Sequence, residues 1–147
     1  MNSLYNEIEI SAPIDKIWDA LAVVDKLDSY DPTIKKSLAT TINKSGIGAA
    51  RKVEMLDGKN WFEESCTTYE KNKALTYTLT ACSFPVHKLY HEYNFEQVGD
   101  KVRVTQKMNI QMKYGLLGKL MFALLRPKWN SGIKEFLGGL KQITEKQ

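Results

Sequence analysis

From Lys101 to Lys113 the chain alternates: Val102, Val104, Met108, Ile110 and Met112 are apolar, and Arg103, Thr105, Lys107, Asn109 and Gln111 between them are charged or polar. A period of two over that length predicts a strand with one dry face. From Gly115 onward the period changes. Leu117, Leu120, Leu124, Leu125, Trp129, Ile133, Phe136, Leu137, Leu140 and Ile143 recur as a broad helical stripe, opposed by Lys119, Arg126, Lys128, Lys134 and Lys141. A helix from Gly115 to Glu145 would be roughly 45 Å long at 1.5 Å per residue, with Pro127 expected to bend or divide it. The apolar sheet face and the apolar helix are expected to cover each other. Polar residues on the inward faces favour a cavity between them over a solid core.

The rest of the chain reads as a helical segment followed by strands. Leu4–Ile10 alternates as a short strand and stops at Ser11-Ala12-Pro13, where the proline suits a first helical turn. Ile14, Ile17, Trp18 and Leu21 then recur at helical spacing, and Asp15 favours the start of that helix. A second short helix or turn is expected through Val24–Leu27, before Asp31-Pro32. Strand-like stretches follow near Ile34–Asn43, Ala49–Leu56, Asn60–Tyr69, Ala74–Phe84 and His87–Val98, separated by turn residues at Ser45-Gly46, Asp57-Gly58 and Lys71-Asn72-Lys73. Gly99-Asp100 predicts a two-residue hairpin loop that sets Val98 against Lys101, Tyr93 against Gln106 and His91 against Met108.

At 147 residues with 43% apolar content, the chain suits one globular domain spanning 1–147. No apolar run reaches the ~18 residues of a membrane span, and the opening residues lack the basic and apolar regions of a secretory signal. No stable membrane insertion is expected, and the protein is expected in the cytosol. Cys66 and Cys82 lie in separate predicted strands, as buried thiols rather than a disulfide framework or metal ligand set. The net charge of +4 comes from dispersed lysines, so no nucleic-acid partner is expected.

The order of elements, a strand, two short helices, six further antiparallel strands and a long C-terminal helix, is that of the helix-grip fold, an α+β architecture. Ile10-Ser11-Ala12-Pro13 with Ile17-Trp18-Asp19-Ala20-Leu21 resembles the opening of the polyketide cyclase/dehydrase and lipid-transport group of the START/Bet v 1-like (SRPBCC) superfamily. Gly46-Ile47-Gly48-Ala49-Ala50-Arg51-Lys52-Val53 followed by Asp57-Gly58, then Glu64 before Glu70, and Gly139-Leu140-Lys141 with Glu145 extend the resemblance over nearly the whole chain. It implies a curved seven-stranded antiparallel sheet gripping the long helix around a hydrophobic ligand chamber. It implies no single activity, since carriers, receptors, aromatic cyclases and co-chaperone-like domains share the fold. The iron–sulfur ligand pattern of the oxygenase relatives is missing from the sequence, which excludes that role.

Glu63 and Glu64 are adjacent on a strand, so one carboxylate goes inward. With Asn72-Lys73 as a two-residue loop, Phe62, Glu64, Cys66 and Thr68 share a face with Leu75, Tyr77, Leu79 and Ala81, and the family pattern also selects Glu64. That carboxylate either serves as a general acid or base, or is a structural group bonded to water or Arg51. Arg51 either points inward as a clamp for a carboxylate or enolate, or pairs at the rim with Glu54 or Glu64. His91, on a face with Leu89, Tyr93 and Phe95, either orients a ligand oxygen and shuttles a proton or is a core histidine satisfied by one hydrogen bond. His87 and His91 stand ~13 Å apart along a strand, too far for one metal ion. Gln106 and Tyr93 offer an amide and a phenol to a ligand or satisfy each other.

Trp61, Tyr30, Phe122, Trp129 and Phe136 are candidate chamber walls or plain core, and Phe62, Tyr77 and Met108 complete the candidate lining. Gly46 and Gly48 would hinge a loop at the chamber mouth, while Gly132, Gly138 and Gly139 would leave space beneath the sheet. Asp15, Asp19, Asp25, Asp28 and Asp31 read as a solvated face rather than a calcium loop. The stretch Lys119–Lys128 is basic and amphipathic like a membrane-surface helix, but the sheet is expected to claim its apolar side.

The expected function is binding or transport of a small hydrophobic or aromatic molecule between sheet and C-terminal helix, with no cofactor and no metal. Two alternatives stand beside it. One is a cyclase/dehydratase-type enzyme in which Glu64 and His91 exchange protons while Arg51 or Gln106 steadies an enolate oxygen. The other is a ligand-free protein-interaction module using the exposed sheet face.

Overall fold

The computed structural model describes residues 1–146. Its strands are β1 (Asn2–Ile10), β2 (Ile34–Ala39), β3 (Ala50–Met55), β4 (Trp61–Glu70), β5 (Ala74–Cys82), β6 (Val86–Val98) and β7 (Lys101–Met112). Helix α1 (Ile14–Ala22) and a 3-10 turn at Leu27–Ser29 lie between β1 and β2, and α2 (Gly115–Glu145) follows β7. All seven strands join one curled antiparallel sheet in the order β1-β7-β6-β5-β4-β3-β2. β1 is thus an edge strand beside β7, with Leu4 opposite Met108, Ile8 opposite Val104 and Ile10 opposite Val102. Matching the dry faces of these two strands lets one apolar surface run across both.

The β6–β7 hairpin has the expected register, Val98 to Lys101, Tyr93 to Gln106 and His91 to Met108. Gly99 supplies the positive φ of +63° that the tight turn needs. The β4–β5 hairpin differs from expectation. Glu70 pairs with Ala74, so the loop is Lys71-Asn72-Lys73, with Asn72 in the left-handed region at φ +63°. Irregularities between Glu63 and Glu64 and between Cys66 and Thr68 shift the pairing further, so that Cys82, opposite Phe62, takes the place of Ala81 on the shared face and Tyr69, opposite Leu75, takes that of Thr68. Strand β2 ends at Ala39, four residues short of its expected limit, because Thr40–Gly48 forms turns; the Thr41 hydroxyl accepts the Ala50 N–H in place of a ladder partner.

Helix α2 runs unbroken through Pro127. Its buried stripe is Gly118, Phe122, Ile133, Phe136, Leu137 and Leu140, with Leu125 and Trp129 half-buried. Leu117, Leu120 and Leu124, expected against the sheet, face outward instead. The cause is local: a Cβ on Gly118 would stand 2.0 Å from the Lys113 carbonyl oxygen, so only a glycine face fits under the turn leaving β7. Gly139 fills the same role further on. Its missing Cβ would lie 1.9 Å from the Tyr30 carbonyl oxygen, so the space expected there is occupied by the backbone of the segment after the 3-10 turn.

Candidate functional site

Arg51 on β3 and Glu64 on β4 are register partners on the inward face, with 3% and 2% exposure. Arg51 Nε donates to Glu64 Oε1 at 2.8 Å and its Nη2 lies 2.7 Å from the same oxygen, while Nη1 donates to the Val24 carbonyl at 3.4 Å. Arg51 mixes the two arrangements open to it: it points inward, as the clamp would, and pairs with Glu64, as the rim residue would, but at a buried position. Burial works against the arginine charge, but the adjacent carboxylate and nearby phenols outweigh it and raise its pKa further. The guanidinium keeps its charge inside the protein.

The Arg51 guanidinium also lies over the Tyr77 ring, 4.3 Å from its centroid. Tyr77, on β5, donates its hydroxyl to the Leu21 carbonyl at 2.8 Å and approaches the Ala22 carbonyl at 3.3 Å. These carbonyls end α1 and have no partner within the helix. Burial pushes the Tyr77 phenol pKa well up, so it stays a donor. His91, on β6 opposite Tyr77, brings Nδ1 to 3.7 Å from Glu64 Oε2, with its side chain 17% exposed. Desolvation lowers its pKa, only partly offset by the Glu64 charge, and the imidazole is neutral near pH 7. A neutral imidazole beside a fixed carboxylate can exchange a proton with a bound molecule.

Tyr93 and Gln106 are paired across β6 and β7 and both are buried. The Gln106 Oε1 atom is buried without a hydrogen-bond partner, and so is the Tyr30 hydroxyl. Tyr30 lies in the connection between the 3-10 turn and β2. Its ring stands 5.7 Å from Phe136, which stands 5.9 Å from Tyr93, itself 6.5 Å from Tyr77. Burial raises the Tyr30 and Tyr93 phenols well above their usual range. An aromatic chain therefore leads from α2 to the Arg51–Glu64–His91 group.

Arg51, Glu64, Tyr77, His91, Tyr93 and Gln106 thus share the interior, with Met108 across from His91. Phe62 is buried beside Val53 and packs on Phe84 at 6.4 Å. Phe122 and Trp129 form their own pair, 6.1 Å apart, on the first half of α2. Phe122 precedes Phe136 by about four helical turns, ~21 Å at 1.5 Å per residue, so it does not join the aromatic chain. Trp61 is on the outer face, where Lys52 lies 4.8 Å over its ring. Cys66 is buried and free, its thiol pushed up to about 11 by burial, while Cys82 is half-buried. Asp31 departs from the solvated reading: it is buried, and one oxygen accepts both the backbone N–H and the hydroxyl of Thr33.

Tyr30 is visible in sequence only as one aromatic among several; its unsatisfied hydroxyl has no sequence signal. Asn6 is missing from the sequence candidates altogether. It sits at an inward position of β1 opposite Gln106 and donates to Asn130 on α2 at 2.8 Å, and its place among alternating residues marks the face without marking the bond. Two open surface concavities have volumes of about 280 and 210 Å³, one beside Leu4, Arg126 and Pro127, the other beside Lys52, Glu54 and Trp61. Neither is the chamber expected between sheet and helix.

A family model described as polyketide cyclase/dehydrase and lipid transport matches residues 1–145. A protein from Thermus thermophilus is 15% identical, with TM-score 0.80 over 96% of this chain and 95% of that one. A START superfamily protein from Mycobacterium smegmatis is 14% identical, with TM-score 0.75 over 97% of each chain. Ara h 8.0201 is 18% identical, with TM-score 0.70 over 95% of this chain and 97% of that one. At these identities the likeness is one of fold. No curated protein matches the sequence.

Proposed function

Because this chain belongs to the polyketide cyclase/dehydrase and lipid transport family of the START/Bet v 1-like superfamily, we propose that it binds a small hydrophobic or aromatic molecule between the sheet and α2. The observation that carries this reading is that two of the four buried, unpartnered side-chain polar atoms among the described residues, Gln106 Oε1 and the Tyr30 hydroxyl, belong to the interior that also holds Phe136, Tyr93 and Tyr77. An unsatisfied buried polar group costs about 1–3 kcal/mol. A ligand hydroxyl or phenol that donates to Gln106 and accepts from Tyr30 removes that cost, while its apolar body packs against the aromatic chain. The Arg51–Glu64 pair fixes the far wall. Both surface concavities lie outside this interior, and on this reading the ligand enters as α2 shifts from the strands.

Native mass spectrometry of the purified protein, followed by titration with the aromatic probe 1-naphthol, tests the reading. A co-purified hydrophobic species, or saturable naphthol binding weakened by Tyr30→Phe and Gln106→Leu, is expected. A bare protein with no saturable naphthol binding would overturn it.

One observation favours a second reading. The 3.7 Å approach of His91 Nδ1 to Glu64 Oε2 leaves Nε2 of a neutral imidazole able to accept a proton from a bound carbonyl compound, as a cyclase or dehydratase requires. Loss of turnover with retained affinity in both Glu64→Gln and His91→Ala would establish the enzyme; unchanged turnover would leave the carrier.

A further inference from the structure

The outward leucines of α2 form a second apolar stripe on that helix. Leu116 is 83% exposed, Leu117 59%, Leu120 58% and Leu124 73%. At 100° per residue these four fall within an arc of about 100°, the width of an amphipathic helix face. Lys119 and Arg126 flank that arc on one side and Lys128 on the other, all exposed, and Tyr114 at the helix start is 66% exposed. From Lys113 to Lys134 the chain carries five cations and no carboxylate. From another element, Asp57 is close enough to feel Lys128. Its oxygens already accept from the Lys59 and Asn60 backbones and the Asn60 side chain.

We propose that the first half of α2 is a peripheral docking surface for an anionic lipid bilayer. The helix lies flat, its leucines enter the headgroup–acyl boundary, and Lys119, Arg126 and Lys128 meet lipid phosphates. Charge selects this occupant over a second copy of the chain. A two-fold pairing of the stripe would set the flanking cations of one copy against those of the other. Four leucines also fall well short of the roughly 800 Å² per partner of a stable interface. No described helix is long and apolar enough to cross a membrane, and this mode needs none. The proposal does not rest on the ligand reading.

Co-sedimentation with vesicles of phosphatidylglycerol and phosphatidylcholine, against phosphatidylcholine alone, tests it. Binding to the anionic vesicles is expected, falling with added salt, by about fivefold for each of Lys119→Gln and Arg126→Gln, and at least tenfold for Leu120→Glu with Leu124→Glu. The leucines are exposed, so circular dichroism and the thermal midpoint should not change in that double variant. Failure of the wild-type protein to bind anionic vesicles would overturn the proposal, as would equal binding by the double glutamate variant. So would a solution dimer abolished by Leu124→Glu in a protein that ignores vesicles.

Discussion

Arg51 and Glu64 face each other across β3 and β4 with almost no solvent exposure, two arginine nitrogens converging on one carboxylate oxygen at 2.8 and 2.7 Å. Such a pair gains little over an apolar one but is costly to break, because the survivor is left charged and unpaired. Glu64→Ala should therefore destabilise the protein by about 3–5 kcal/mol, whereas Arg51→Met combined with Glu64→Leu should recover most of that loss. Urea unfolding of Arg51→Met, Glu64→Leu and their double variant gives the coupling directly.

His91 predicts a pH dependence of stability. Its folded-state pKa is lowered by desolvation, so below its unfolded value of about 6.5 the unfolded chain binds a proton that the folded one resists. The contribution is present above that value and is lost as pH falls through the folded pKa. Between about pH 7.5 and about pH 5, urea midpoints of the wild-type protein should fall more steeply than those of His91→Gln, which lacks this titration. Parallel curves would mean that His91 ionises equally in both states.

Two neighbouring glycines of α2 should behave oppositely. Gly139→Ala drives a methyl into the Tyr30 carbonyl, 1.9 Å away, and must push helix and connection apart; a loss of at least about 2 kcal/mol is expected, the scale of overpacking. Gly138→Ala meets nothing within 4 Å and should be neutral or stabilising by up to about 1 kcal/mol through helix propensity. Thermal midpoints of the two variants decide it.

Tyr77→Phe and Tyr30→Phe delete similar hydroxyls with different surroundings. The first frees the carbonyls of Leu21 and Ala22 at the end of α1 and should cost about 1–3 kcal/mol. The second removes a buried hydroxyl that has no partner and should leave the ligand-free protein as stable or more so. Equal destabilisation in both would show that the Tyr30 hydroxyl is satisfied in solution.

The legible parts of the fold are those with a single period or a short turn. Gly99-Asp100 ties β6 to β7, and with it His91, Tyr93 and Gln106 come into register from sequence. The β3–β4 connection offers no such constraint, so Arg51 and Glu64 can be suspected of pairing without being matched. Irregular pairing around Glu63 and Cys66 moves Ala81 and Thr68 off the expected positions, since one inserted residue reverses every later side chain. Helix α2 misleads differently. It carries two apolar stripes at one period, and what separates them is Gly118, whose fit against Lys113 is a tertiary fact. Tyr30 lies in irregular chain, where periodicity gives no facing at all.

Pairing of the first strand with the last also shapes how the molecule must assemble. Asn2–Ile10 finds its hydrogen-bond partner only after Lys101–Met112 exists, so a nascent chain carries an unmatched strand until that distant segment has been made. Closure across so much intervening sequence makes folding slow, and until then the early strand remains open to pairing with a neighbouring polypeptide.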